Sequence, residues 1–243
     1  MKNLFWKKAV LLITFSFLII NIPYSFANRN YDKPSVNIVH KSNSMSTLCE
    51  IYQQLNLADL GLTENAFNYA IEGFNFLNGI GKISNQKVLT IIDFSLPSSQ
   101  KRLFIIDLLA GKLLFNTYVA HGQNSGQILA KYFSNNISSF QSSLGFYETT
   151  KTYIGKHGYS LQLQGLETGI NDKADVRSIV IHGASYVSEK FISQNGYLGR
   201  SWGCPAIPEA LSKSIIDEIK EGTCLFIYAN DKKYLSQSAI IHA

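Results

Sequence analysis

Ser178-Ile179-Val180-Ile181-His182-Gly183, followed at a distance by Gly199-Arg200-Ser201-Trp202-Gly203-Cys204-Pro205, are the two stretches that decide how this chain reads. The first is a short apolar run with β-branched residues, and it predicts a buried strand ending on the histidine. The second is a glycine-bracketed loop, from which Pro205 and Pro208 lead into a helix. His182 and Cys204 lie 22 residues apart (204 − 182). A thiol attacks carbonyls chiefly as thiolate, and an imidazole is the usual device for removing its proton. A histidine at a strand end and a cysteine in a tight turn can meet at one site. The backbone N–H groups of Gly203 and Cys204 would then face a developing oxyanion, and a glycine at 203 leaves room for the substrate carbonyl. Two plainer readings stand beside this one: a small buried cysteine with a hydrogen-bonded histidine, and a metal site. Against metal stands the lack of a second Cys or His at short zinc-ligand spacing.

Outward from these stretches, most of the chain reads as short strands. Val88 to Phe94 is one, and Lys101 to Leu109 and Lys112 to Ala120 form a hairpin about Ala110-Gly111. Leu144 to Tyr153, Tyr159 to Leu163 and Thr223 to Tyr228 follow the same pattern. One helix is expected after the cysteine, Pro208 to Lys220, with Leu211, Ile215 and Ile219 inward and Gly222 as its stop. Two helices precede the strands. One covers Ser46 to Leu60 and ends at Gly61. The other is capped by Thr63 and buries Phe67, Ala70, Ile71, Phe74 and Leu77. Many short strands with few helices point to a mainly β (α+β) sandwich or barrel. The expected organisation is a helical segment over 46–86 and a catalytic domain over 87–243.

The N-terminus predicts export. Lys2, Lys7 and Lys8 precede an apolar run from Ala9 to Ile22, Pro23 breaks it, and Ser25-Phe26-Ala27 has the form of a signal-peptidase site. The run is too short to span a bilayer. Cleavage near Ala27 would leave a flexible leader over 28–45 and place the protein in the periplasm or cell envelope. Of the 22 Lys+Arg, three fall in the leader peptide and none of the 17 Asp+Glu do, leaving 22 − 3 − 17 = +2. That balance lacks the basic stripe of a nucleic-acid binder. Cys49, Cys204 and Cys224 make an odd count, so one thiol is left over in an oxidising compartment. Cys49 and Cys224 are one candidate pair.

Several further motifs carry a resemblance. They are Val119-Ala120-His121-Gly122-Gln123-Asn124-Ser125-Gly126, Ser142-Ser143-Leu144-Gly145-Phe146-Tyr147 and Gly155-Lys156-His157-Gly158-Tyr159. They continue with Ile181-His182-Gly183-Ala184 and Leu198-Gly199-Arg200-Ser201-Trp202-Gly203-Cys204-Pro205-Ala206. Together they resemble the YkuD-like L,D-transpeptidases, and within them the murein L,D-transpeptidase catalytic domain family proteins, over about residues 46–230. The resemblance implies a cysteine enzyme of peptidoglycan stem peptides, with no cofactor, metal or stable protein partner. It casts Cys204 as nucleophile and His182 as base. The sulfur would attack the bond between the L-centre and D-Ala, release D-Ala, and pass the acyl group to an amine or to water. Trp202 stands where the family's second histidine is usual, and Pro205-Ala206 follow the cysteine. Arg200 and Arg177 are then candidate carboxylate contacts. Gly183, Ser201, Trp202, His157 and His121 are candidate supporting residues. The alternatives are an L,D-carboxypeptidase on the same scaffold and a wall-binding protein without turnover.

Overall fold

The computed structural model describes residues 50–243; the signal-like stretch, the leader, Cys49 and its candidate pairing lie outside them. The strand β1 (Val88–Asp93) is buried at every position. It runs antiparallel to β2 (Leu103–Asp107) and parallel to β8 (Cys224–Tyr228), in register from Leu89↔Cys224 to Asp93↔Tyr228. A strand covered on both faces has no solvent side, which is why its sequence, Val88-Leu89-Thr90-Ile91-Ile92-Asp93, is largely apolar and does not alternate. β3 (Lys112–Thr117) follows β2 across a turn in which Asp107 Oδ1 accepts from the Leu109 and Ala110 N–H groups at 3.0 and 2.8 Å.

β4 (Gly145–Gly155) and β5 (Gly158–Gly165) form a hairpin, and β6 (Val180–Ala184) and β7 (Ala206–Pro208) complete an eight-stranded sheet. Its order is β3-β2-β1-β8-β4-β5-β6-β7. The two ends of that order meet. Beyond β3 the chain returns to β7, where Ala120 bridges Ala206 with an N–H···O bond of 2.8 Å. Ser201 N–H donates to His121 O at 3.0 Å, and Gln123 N–H donates to Ser201 O at 2.8 Å. The sheet therefore curls into a near-barrel whose closing seam is the loop that carries Cys204, and no strand edge is left open there.

α1 (Glu64–Gly79) begins where the sequence places it, with Thr63 Oγ1 accepting from the Ala66 N–H. The same hydroxyl donates to Asp93 Oδ2 at 2.7 Å and so ties the helix start to the end of β1. Phe67, Ala70, Ile71, Phe74 and Leu77 are all buried, in one core with the strands. The preceding helix is shorter than expected among the described residues. It runs to residue 54, and Asn56, at φ +48°, turns the chain out of helical geometry.

Four local expectations change. His182 sits inside β6 instead of ending it. β7 is an unexpected strand, three residues long and hemmed by two prolines. α2 (Glu189–Asn195) and α4 (Lys232–Gln237) add to α3 (Glu209–Ile219), so two helices follow Cys204 where one was expected. On α3 the inward residues are Ile215, Ile216 and Ile219, while Leu211 in the first turn is exposed.

α1 can lie close to the sheet because Gly73 faces Phe146, itself stacked on Phe226 at 4.2 Å. A Cβ at 73 would stand 2.0 Å from Phe146 Cζ. Gly73→Ala gains up to about 1 kcal/mol of helix propensity, against an overpacking cost of about 1–3 kcal/mol. With Phe146 wedged and unable to retreat, the expected net result is a lower urea midpoint; an equal or higher midpoint would show that the interface yields.

Candidate active site

The parallel pairing of β6 and β7 sets His182 opposite Ala206, so Cys204, just ahead of β7, lies alongside Val180. Both side chains line one cavity of about 440 Å³. Cys204 Sγ is partly exposed to it and lies 3.7 Å from Ser178 O. His182 is 2% exposed, and its Nδ1 lies 2.9 Å from Gly183 O. A carbonyl only accepts, so Nδ1 carries the hydrogen and Nε2 the lone pair. That is the tautomer a base requires. The hairpin turn between β4 and β5 brings Lys156 and His157 to the same cavity, and the His157 ring stacks on His182 with centroids 4.4 Å apart and planes 24° off parallel.

The cysteine loop is fastened by serines. Ser201 Oγ donates to Cys204 O at 2.6 Å and accepts from the Gly203 N–H at 3.0 Å. Ser142 Oγ donates to Gly203 O at 3.1 Å and accepts from the Gly122 N–H at 3.0 Å. Gly203 has φ +126°, and a Cβ there would lie 2.8 Å from Gln141 O. The glycine is thus required by the loop against which it packs. The room it was expected to give a substrate carbonyl is not the constraint the structure reveals.

Residues 59–228 match the family model described as L,D-transpeptidase catalytic domain. The chain belongs to this family. Enzymes with this domain act on peptidoglycan peptides as transpeptidases or peptidases. Among solved structures, the chain is similar to an L,D-transpeptidase from Mycobacterium smegmatis, at 12% identity over 59% of each chain with a TM-score of 0.36. It is also similar to the L,D-transpeptidase from Xylanimonas cellulosilytica, at 16% identity over 58% of this chain and 60% of that one, TM-score 0.33. The helical cell shape determining protein Pgp2 from Campylobacter jejuni, in its K307A mutant, gives 13% identity over 72% and 61%, TM-score 0.39. The chain spans about three fifths of the length of each of these proteins. No curated protein sequence matches.

Within this L,D-transpeptidase domain the site is electrostatically one-sided. Lys156, Arg177 and Arg200 line the cavity, and among the described residues no carboxylate does. Burial raises the Cys204 thiol above its ordinary value, although the Val180 N–H, the Arg177 charge and the Cys204 N–H pull the other way. Burial lowers the His182 imidazole, with the neighbouring His157 adding to the effect. Both shifts act in the direction of the neutral forms.

The other candidate residues separate into those at the cavity and those that build it. Trp202 is 68% exposed at the cavity, with Phe140 at 5.5 Å and Lys156 Nζ at 5.9 Å from its ring. Arg200 lines the cavity while donating to Gln123 O and Gly126 O at 3.1 and 3.2 Å. Arg177 spends its guanidinium on the 134–143 loop, including Ser134 O at 2.7 Å and Gln141 O at 2.5 Å. His121 is not at the cavity: it is fully buried, takes a hydrogen bond from Arg102 at 2.8 Å on Nδ1, and faces Gly126 O with Nε2. Burial and the Arg102 charge lower its pKa to about 3. Gly183 is a packing position, since a Cβ there would lie 2.8 Å from Ser212 Oγ on α3. The Gly203 N–H is engaged by Ser201, which removes one of the two expected oxyanion donors from the resting site.

Sequence reasoning missed Tyr153 and Tyr186 at the cavity. Tyr186, whose hydroxyl is pushed up to about 12 by burial, follows a strand with no motif of its own. Lys156 sat inside a recognised motif and was legible as its neighbour.

A neutral thiol labels slowly. Iodoacetamide modification at the Cys204 peptide is expected to be slower at neutral pH than for free cysteine, and to climb through pH 9.0, the ordinary thiol value. A rate already on its plateau at neutral pH would mean a standing thiolate–imidazolium pair.

Proposed function

We propose that the protein is an exported cysteine L,D-transpeptidase of peptidoglycan stem peptides, with Cys204 as nucleophile and His182 as base. The observation that carries this reading is the placement of both side chains in one cavity by adjacent parallel strands. The cationic lining suits a donor peptide bearing carboxylates. In the first half-reaction, Nε2 takes the thiol proton as Sγ bonds to the carbonyl carbon preceding D-Ala. The carbonyl oxygen becomes an oxyanion beside the backbone N–H of Cys204, and the Gly203 N–H joins it once released from Ser201. Collapse breaks the C–N bond, Nε2–H protonates the departing amine, and a thioester remains. In the second half, an acceptor gives its proton to Nε2 as it attacks the thioester. The C–S bond breaks, and the proton returns to sulfur.

One observation favours the L,D-carboxypeptidase reading as the runner-up. An acceptor amine arrives as ammonium, and among the described residues the cavity lining supplies no carboxylate to attract it, whereas water meets no such barrier. Export rests on the N-terminal pattern of Lys2, Lys7, Lys8, the apolar run and Ala27. Among the described residues no helix is long and apolar enough to cross a membrane.

Incubation with a disaccharide-tetrapeptide, read by intact-protein mass, is expected to give an acyl adduct with release of D-Ala. Cys204→Ala should give neither. His182→Ala should slow acylation by about 10²–10⁴-fold, the usual range for losing a general base. Cross-linked or trimmed product in the same tube separates the transferase from the carboxypeptidase. An adduct that persists in Cys204→Ala would move the nucleophile elsewhere.

A further inference from the structure

We infer that His157 is the positioning residue of the base, its ring holding the His182 imidazole in one orientation over the cavity by stacking. This rests on the reading of His182 as base given above. The His182 ring has one hydrogen bond, from Nδ1 to the carbonyl of the next residue, and among the described residues no side chain hydrogen-bonds it. A single bond at one edge leaves the ring free to rock about that edge. The restraint on its face comes from His157, at 4.4 Å and 24°, at the close limit of offset aromatic stacking. His182 is 2% exposed while His157 is exposed, so His157 is a cover whose outer side meets solvent.

The support for the cover is rigid. Gly155 pairs with Gly158, which makes Lys156 and His157 the two turn residues of the β4–β5 hairpin. β5 lies directly beside β6, with Ser160 opposite His182. The hairpin is tied down twice more. Tyr159 OH donates to Asp217 Oδ1 of α3 at 2.9 Å, and Lys156 Nζ sits over the Trp202 ring. The turn thus touches both walls of the site, the base on one side and the cysteine loop on the other. In this chain Trp202 stands where a second histidine is usual, and the second imidazole of the cavity comes instead from the hairpin.

The test separates stacking from proton chemistry. His157→Phe keeps a planar ring without a titratable nitrogen, and His157→Ala removes the ring. Acylation by the disaccharide-tetrapeptide is measured at saturating and limiting substrate, with thermal melting as the folding control. A misplaced base of this kind costs on the order of 10–10²-fold. His157→Ala is expected to lose about that much in maximal acylation rate with half-saturation unchanged, and His157→Phe to recover most of it. A His157→Phe variant as slow as His157→Ala would overturn the inference, because the nitrogen and not the ring would then matter. A His157→Ala variant as fast as the parent would overturn it too. If the parent itself forms no adduct, the reading of Cys204 and His182 fails instead, a result distinguishable from either.

Discussion

The closing seam of the barrel is the constraint on which the site depends. β6 and β7 pair over only three positions, His182↔Ala206 to Ala184↔Pro208, too few to fix a loop by themselves. The loop is fixed because Ser201 exchanges backbone hydrogen bonds with the strand extension at His121 and Gln123, and because Ala120 bonds to Ala206. That extension is in turn held by Arg102, which is fully buried and donates to Val119 O at 3.0 and 2.9 Å, to Leu96 O at 2.9 Å and to His121. Burying a guanidinium costs several kcal/mol. The cost is met by charge-assisted bonds worth about 1.5–3 kcal/mol each and by the Phe94 face 4.7 Å from Cζ. Removing any carbonyl from this set would leave a buried donor unpaired, so the register of the seam, and with it the place of Cys204, is sharply specified.

The same construction explains why two histidine–glycine steps serve different ends. His121 and His182 both follow short apolar stretches and both precede glycine. At His121 burial, with the Arg102 guanidinium on Nδ1 adding to it, lowers the ring's pKa, and the ring bridges Arg102 and Gly126. At His182 the neighbour is another imidazole, and Nδ1 is spent on a carbonyl, which leaves Nε2 for the role proposed for it above.

This difference could not be read from the chain, because Arg102 acts across the fold and its burial follows from the barrel's closure. By contrast, the apolar runs of β1 and β8, the Thr63 cap and the buried face of α1 follow from local pattern, and they form where the pattern puts them. β7 escaped notice because Ala206 and Ile207 lie between two prolines, and its pairing is decided by β6 and the seam. The Cys204 and His182 candidates were legible from motif. The directions of their pKa shifts were not, since both follow from burial in the folded chain. Gly203 was legible as a glycine, but the neighbour that requires it, Gln141 O, comes from another loop and not from the substrate carbonyl the motif suggested.

A thiol raised by burial fits the place proposed for this protein. Thiolate is the form that attacks oxidants and disulfides, and an exported enzyme with a standing thiolate would react with both. Here burial raises the Cys204 thiol, while the Val180 N–H and Arg177 act against that shift. On the mechanism proposed above, His182, whose imidazole burial lowers, takes the proton at the moment of attack. On that mechanism the thiolate forms as the carbonyl is attacked. The barrier for that transfer is lowest when the base is already aligned. A ring anchored at one edge and stacked on one face is aligned before the substrate arrives, so the cost of ordering it is met in folding the hairpin and not in each turnover.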